Sequence, residues 1–127
     1  MKEHWKEVPD DHDYPAAESY LGLVTSPAIA KELVARLRKR SIEHFKAKDL
    51  LRASALPLLD AGNFHVAADL DKVKKGNKLS PVLLVRGNLW PHAPLTIADG
   101  YHRVCASYHE GESSEVLYRL ATPEHTA

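Results

Sequence analysis

Asp99-Gly100-Tyr101-His102-Arg103 places a carboxylate, a residue without a side chain, a phenol, an imidazole and a guanidinium in one short run. The surrounding pattern puts this run where a strand hands over to a helix. Leu95 to Ala98 reads as a strand, Asp99-Gly100 breaks it, and Tyr101 to His109 fits a helix with Val104, Cys105 and Tyr108 turned inward. A helix start offers unpaired N–H groups and the positive end of the peptide dipole, so it suits an anion. Gly100 lets a ligand approach the backbone, His102 can donate a hydrogen bond, and Arg103 carries a planar fork that matches phosphate oxygens. Asp99 would repel a phosphate unless it caps the helix or helps hold Mg²⁺, and capping is the expected role. Taken singly, His102 is also an ordinary helix-start histidine and Arg103 an ordinary surface ion-pair partner. Their adjacency after a strand favours phosphate binding.

Other chemistry-bearing residues weigh less. Asp10-Asp11-His12-Asp13 could meet a divalent ion, but consecutive residues rarely converge on one, and a solvated loop is the ordinary outcome. His102 and His109 lie near one helix face, yet about 10 Å of helix rise separates them, so they do not share a metal. No metal site is expected from the protein side chains. Trp90 and His92, in a connecting segment, would form a rim able to stack on a base, or would pack under the loop. Arg36, Arg38, Lys39 and Arg40 crowd a helix C-terminus, where cations are favoured by the dipole alone.

The elements that must position the run can be read in outline. Ser26 followed by Pro27 is a helix start, and Ile29, Leu33, Val34 and Leu37 mark one face of a helix running to about Arg40. Lys2 to Tyr14 has no periodicity and reads as a loose extension, and Glu18 to Val24 alternates weakly, as a strand would. Phe45 to Leu51 suggests a strand leading into a helical turn, and Pro57 and Gly62 interrupt the stretch beyond it. Asp69 to Lys75 reads as a short helix closed by Gly76. Val82-Leu83-Leu84-Val85 after Pro81 is a continuous apolar run suited to a strand buried on both faces, and Glu115 to Leu120 supplies a last strand. The expected fold class is α/β: a small mixed sheet with short helices and an N-terminal helix. Residues 1–25 are expected to form an extension and 26–127 a single domain.

Composition bounds the rest. The chain has 127 residues, 44% of them hydrophobic and 27% charged, enough for one domain with a real core. Its 17 Lys and Arg balance 17 Asp and Glu, which excludes a generally polybasic nucleic-acid coat and a strongly acidic mimic. A lone Cys105 excludes an intramolecular disulfide, and no run reaches the roughly 18 apolar residues of a membrane span. A soluble, cytoplasmic protein is expected, with no membrane partner.

The run Asp99 to Ala106 resembles the Gly-x-x-Arg-x-x-Ala box of the ParB N-terminal domain and sulfiredoxin superfamily. Asp69 to Gly76 and Leu79 to Val85 are similar to the helix, glycine turn and strand that precede that box, so the resemblance covers about residues 45–120. It implies the compact α/β fold of that superfamily and a nucleotide, ATP, ADP or CTP, with Mg²⁺ as an accompanying cofactor. Gly100, His102 and Arg103 match the box and carry over as phosphate contacts, with Tyr101 between them, while Lys72, Lys74, Lys75 and Ser80 lie where upstream contacts occur. If a terminal phosphoryl group is hydrolysed or transferred, His102, Arg103 and Asp99 are the catalytic candidates, Arg103 stabilising the transferring charge.

Departures from the family narrow the activities. Sulfiredoxins carry a catalytic cysteine where this chain has Tyr101, and Cys105, between Val104 and Ala106, reads as a small buried side chain, so peroxiredoxin repair is not expected. The partition proteins read DNA with a further helix-turn-helix domain, for which the seven residues after Leu120 leave no room, so sequence-specific DNA binding is not expected. Relatives that act as free serine kinases need a further carboxylate, for which Asp60 and Asp69 are candidates. Two alternatives stay beside the nucleotide reading: a non-catalytic interaction module of a mobile-element, phage or toxin–antitoxin setting, and a nuclease. The apolar face bearing Leu33 and Leu37 either packs on the sheet or pairs with a second copy, as in a homodimer.

Overall fold

The computed structural model describes residues 4–90 and 92–123. Its elements are α1 (Asp13–Val24), α2 (Pro27–Lys39), β1 (Glu43–Lys46), α3 (Ala47–Ser54), α4 (Phe64–Lys74), β2 (Val82–Val85), β3 (Thr96–Asp99), α5 (Tyr101–Glu110) and β4 (Glu115–Ala121). The strands form one mixed sheet in the order β1-β4-β2-β3. Its central pair, β2 and β4, runs parallel, and the edge strands β1 and β3 lie antiparallel to their neighbours. The expected α/β class is the one observed.

Alternation along β2 explains the layers. Val82 and Leu84 enter a core with Leu50, Leu51, Val66, Val104 and Cys105 of α3, α4 and α5. Leu83 and Val85 enter a second core with Tyr14, Ala17, Leu21, Leu33 and Leu37 of α1 and α2. A strand covered on both faces needs apolar residues at every position, which is why this run is unbroken. Packing of α2 on the sheet within the chain accounts for its Leu33 and Leu37 face. Ser26 caps α2 as its type suggests, its hydroxyl accepting from the Ile29 N–H at 3.2 Å.

The first part of the chain departs from expectation. Glu18 to Val24 is not a strand but the second half of helix α1. Pro15 falls in the first turn, where a missing N–H is harmless, and Tyr14, Ala17 and Leu21 bury one helical stripe against α2 and the sheet. The described residues before it, from His4 on, are not loose either, and the start of the expected extension lies outside the described residues. Trp5 is buried beside Leu79, Lys6 N–H donates to the Leu79 carbonyl and Leu79 N–H to the His4 carbonyl, both at 2.8 Å. This segment therefore straps the entry to β2.

Two further boundaries move. The expected helix Asp69 to Lys75 is the C-terminal half of α4, which starts where the Asn63 side chain accepts from the N–H groups of His65 and Val66. Its end is as expected: Gly76 follows with φ +83°. β3 sits one residue later than expected and includes Asp99. No helix among the described residues is long and apolar enough to cross a membrane.

Candidate functional site

The start of α5 is built by three elements. Antiparallel pairing sets Leu83 of β2 opposite Asp99 of β3, so the Ser80 to Val82 entry lies beside the β3-to-α5 turn. Gly100 makes that turn at φ +108°, a conformation L side chains rarely adopt. A Cβ there would stand 2.8 Å from Val82 Cβ and 3.0 Å from Arg103 Nη2. Glycine is thus demanded by packing and backbone conformation, rather than by room for a ligand.

Arg103, one helical turn on, is only 13% exposed along its side chain. Its Nη2 donates to Asp99 Oδ2 at 2.6 Å, and its Nη1 to the Ser80 carbonyl at 2.6 Å and to Asp13 Oδ2 at 3.1 Å. The Ser80 hydroxyl donates to Asp13 Oδ2 and accepts from the Asp10 N–H at 2.9 Å. One guanidinium therefore locks α1, the β2 entry and the β3 end together. Asp99 is held by this contact instead of capping α5, whose N-cap Gly100 has no side-chain cap. Burial raises the Asp99 carboxyl above its ordinary range against the pull of Arg103, and the neighbouring Asp13 carboxylate adds to the rise.

Beside this network lies a second polar group of opposite character. His65 and Asp69, four residues apart on α4, share a helix face, and His102 reaches them from α5. The His65 and His102 ring centroids are 4.7 Å apart at a 45° tilt. Asp69 is 9% exposed and pairs loosely with Lys72 Nζ at 3.9 Å, and it accepts no hydrogen bond among the described residues. Burial raises its carboxyl above the ordinary value, although Lys72, Arg103, His102 and His65 pull it down. Burial lowers the His102 imidazole, and His65 lowers it further, so His102 is neutral near pH 7.

The candidates read from the sequence thus divide. Gly100, His102, Arg103, Asp99 and Ser80 meet at the α5 start, but Ser80 and Arg103 face inward as part of the locking network. Lys72 flanks Asp69, whereas Lys75 pairs with Asp71 at 2.9 Å. The Tyr101 hydroxyl donates to the Pro57 carbonyl, and burial raises its ionisation. Cys105 is fully buried, and burial pushes its thiol up, the reverse of an activated nucleophile. His109 sits at the other end of α5, its Nε2 2.7 Å from the Leu59 carbonyl.

Trp90 and His92 do not rim this site. They sit in the β2-to-β3 connection, at the opposite end of β3 from Gly100, with ring centroids 5.1 Å apart. Sequence reasoning missed His65 and the locking role of Asp13. That role is found only through the fold, since 90 positions separate Asp13 from Arg103. His65 carried a signal in its four-residue spacing to Asp69, hidden by the late start given to that helix.

Comparison of the chain with protein-family models, with curated proteins and with solved structures returned no match.

Proposed function

We propose that the first turn of α5 binds a phosphate-bearing small molecule, a nucleotide being the class that the resemblance to the ParB and sulfiredoxin superfamily implies. The observation that carries this reading is a helix start with no side-chain cap, flanked by the neutral, half-buried His102. In it, N–H groups of the first turn and His102 contact the phosphate. Arg103 acts as a positioning residue, because its donors are committed to Asp13, Asp99 and Ser80. Asp69 and Asp99 bring negative charge close to the same place, so a phosphate there needs a divalent cation to offset it. Hydrolysis or transfer of a terminal phosphoryl group is the enzymatic form of this proposal, with His102 donating to the leaving oxygen.

A thermal-shift panel of ATP, ADP, CTP and GTP, each with and without Mg²⁺, tests it, because a ligand that binds only the native state raises its stability by mass action. At ligand about a hundredfold above Kd the gain is about 2.7 kcal/mol. The expected result is a shift with at least one nucleotide that His102→Ala removes. No shift at millimolar nucleotide, or an equal shift in His102→Ala, overturns the proposal.

One observation supports the reading as an interaction module. Leu89 and Trp90 are 74% and 72% exposed in the β2-to-β3 connection. Binding without turnover, together with capture of a partner that Trp90→Ser abolishes, would favour that reading.

A further inference from the structure

We infer that the groove between α3 and the carboxyl ends of β2 and β4 binds a small monocarboxylic acid with an aromatic body. The groove holds about 440 Å³, a common size for a small-molecule site. It lies away from the α5 start, because Gly100 adjoins Val82 at the beginning of β2 whereas Leu84 and Arg86 line the groove at the other end. Leu84, Leu95 and Leu120 give it an apolar floor continuous with the core, and Phe45, 50% exposed, offers a ring face at its edge. Its frame is fixed by backbone bonds: Leu95 N–H donates to the Ala53 carbonyl at 3.0 Å, and Arg86 N–H to the Ala121 carbonyl at 2.9 Å.

Tyr118 shows that this groove is built for a ligand. It is 7% exposed, yet its hydroxyl makes no hydrogen bond among the described residues. The oxygen is not sealed in the core, where Arg119 Nε is the one side-chain atom without a partner among those residues, so it opens on the groove that Tyr118 lines. A buried hydroxyl without a partner is uncommon in a native fold and calls for an acceptor from outside the chain. Burial raises the ionisation of this phenol, Glu43 adds to the rise and Arg86 opposes it, so the group is a donor at neutral pH.

Charge selects the kind of acceptor. The charged residues of the lining are Asp49, Arg52 and Arg86. Arg52 Nη2 donates to Asp49 Oδ1 at 3.2 Å, which leaves Arg86 as the uncompensated charge, and one negative charge on the ligand matches it. Arg86 spends only Nε of its guanidinium, on the Thr122 hydroxyl at 3.1 Å, so both Nη groups remain to take a carboxylate. Glu43 stands opposite Tyr118 in the β1–β4 register but is exposed and does not border the groove. A larger apolar cleft, of about 550 Å³, lies on the other face of the sheet between Leu21, Ile29, Leu33 and Val85. None of its buried lining residues is polar, so nothing there selects a ligand.

The groove shares no residue with the α5 start, so the inference stands or falls apart from the phosphate reading, and its test contains no nucleotide. The full chain is titrated at pH 7 with hydrocinnamate, with hydrocinnamyl alcohol, which lacks the charge, and with acetate, which lacks the aromatic body. Calorimetry should give a single site for hydrocinnamate with Kd of about 1 mM or tighter, and at least about tenfold weaker binding of the other two. Affinity for hydrocinnamate should also fall at least about tenfold in Arg86→Met and in Tyr118→Phe, and stay unchanged in Lys31→Ala, an exposed cation of α2. Because the Tyr118 hydroxyl has no partner to lose, Tyr118→Phe keeps the fold, and far-UV circular dichroism checks this for each variant. Amide chemical shifts should move at Phe45 and Leu95. Absence of hydrocinnamate binding up to about 10 mM, roughly the limit of a specific site, overturns the inference. So do equal binding of the alcohol, full affinity in Arg86→Met or Tyr118→Phe, loss of affinity in Lys31→Ala, and shifts confined to the α5 start or to the cleft beside Ile29.

Discussion

Arg103 with Asp13, Ser80 and Asp99, and Asp69 with His65 and His102, meet at the same turn of α5 and are held in contrary ways. In the first group the guanidinium donates to two carboxylates and a backbone carbonyl, and the Ser80 hydroxyl is satisfied as donor and acceptor. In the second, a buried carboxylate and two imidazoles face one another with no hydrogen bond between them. A satisfied buried network rigidifies the fold and is costly to break, whereas an unsatisfied group detracts from stability and points to function. Aspartate occurs in both groups, locked by a guanidinium in one and only loosely paired with a lysine in the other, and only its partners distinguish the two.

The contrast is broken most severely at Arg103. Arg103→Met leaves Asp13, Asp99 and the Ser80 carbonyl without their shared donor, and unpaired buried charge costs about 3–5 kcal/mol. Urea unfolding near pH 7 measures this, and a loss under 1 kcal/mol, roughly a surface effect, would mean that the guanidinium is not an anchor. Gly100→Ala comes next. A left-handed backbone and a Cβ 2.8 Å from Val82 Cβ together predict a loss of about 2–4 kcal/mol. If the variant instead keeps full stability and loses only ligand binding, the glycine serves the ligand and not the packing.

Much of the scaffold was legible because local signals and tertiary packing agree. Val82 to Val85, the Ser26-Pro27 helix start and the Gly76 turn fall where their residue types put them. Glu18 to Val24 failed because seven residues contain too few turns to separate a weak alternation from a helical stripe, and the stripe begins earlier, at Tyr14. The site was half legible. Gly100, His102 and Arg103 stand out in the chain, but the sequence carries no sign that Arg103 would turn inward, since its partners Asp13 and Ser80 come from other elements. The roles reversed for the same reason. A guanidinium that looked free for phosphate is committed, and Asp69, one candidate carboxylate among several, has only a long ion pair with Lys72 at 3.9 Å.

The most direct test compares Asp69→Asn with Asp13→Asn by urea unfolding across pH. Asp13→Asn removes charge from a satisfied pair and should destabilise by about 1.5–3 kcal/mol at pH 7. Asp69 behaves oppositely. Because burial raises its carboxyl in the folded state, the native protein favours the protonated form, and the contribution of Asp69 is most favourable below the unfolded value and is lost as pH rises through the folded one. Asp69→Asn is therefore predicted to stabilise the ligand-free protein by about 0.5–2 kcal/mol at pH 7, an advantage that shrinks with acid and vanishes below about pH 4. Destabilisation by Asp69→Asn comparable to that of Asp13→Asn, with no such pH dependence, would contradict the account.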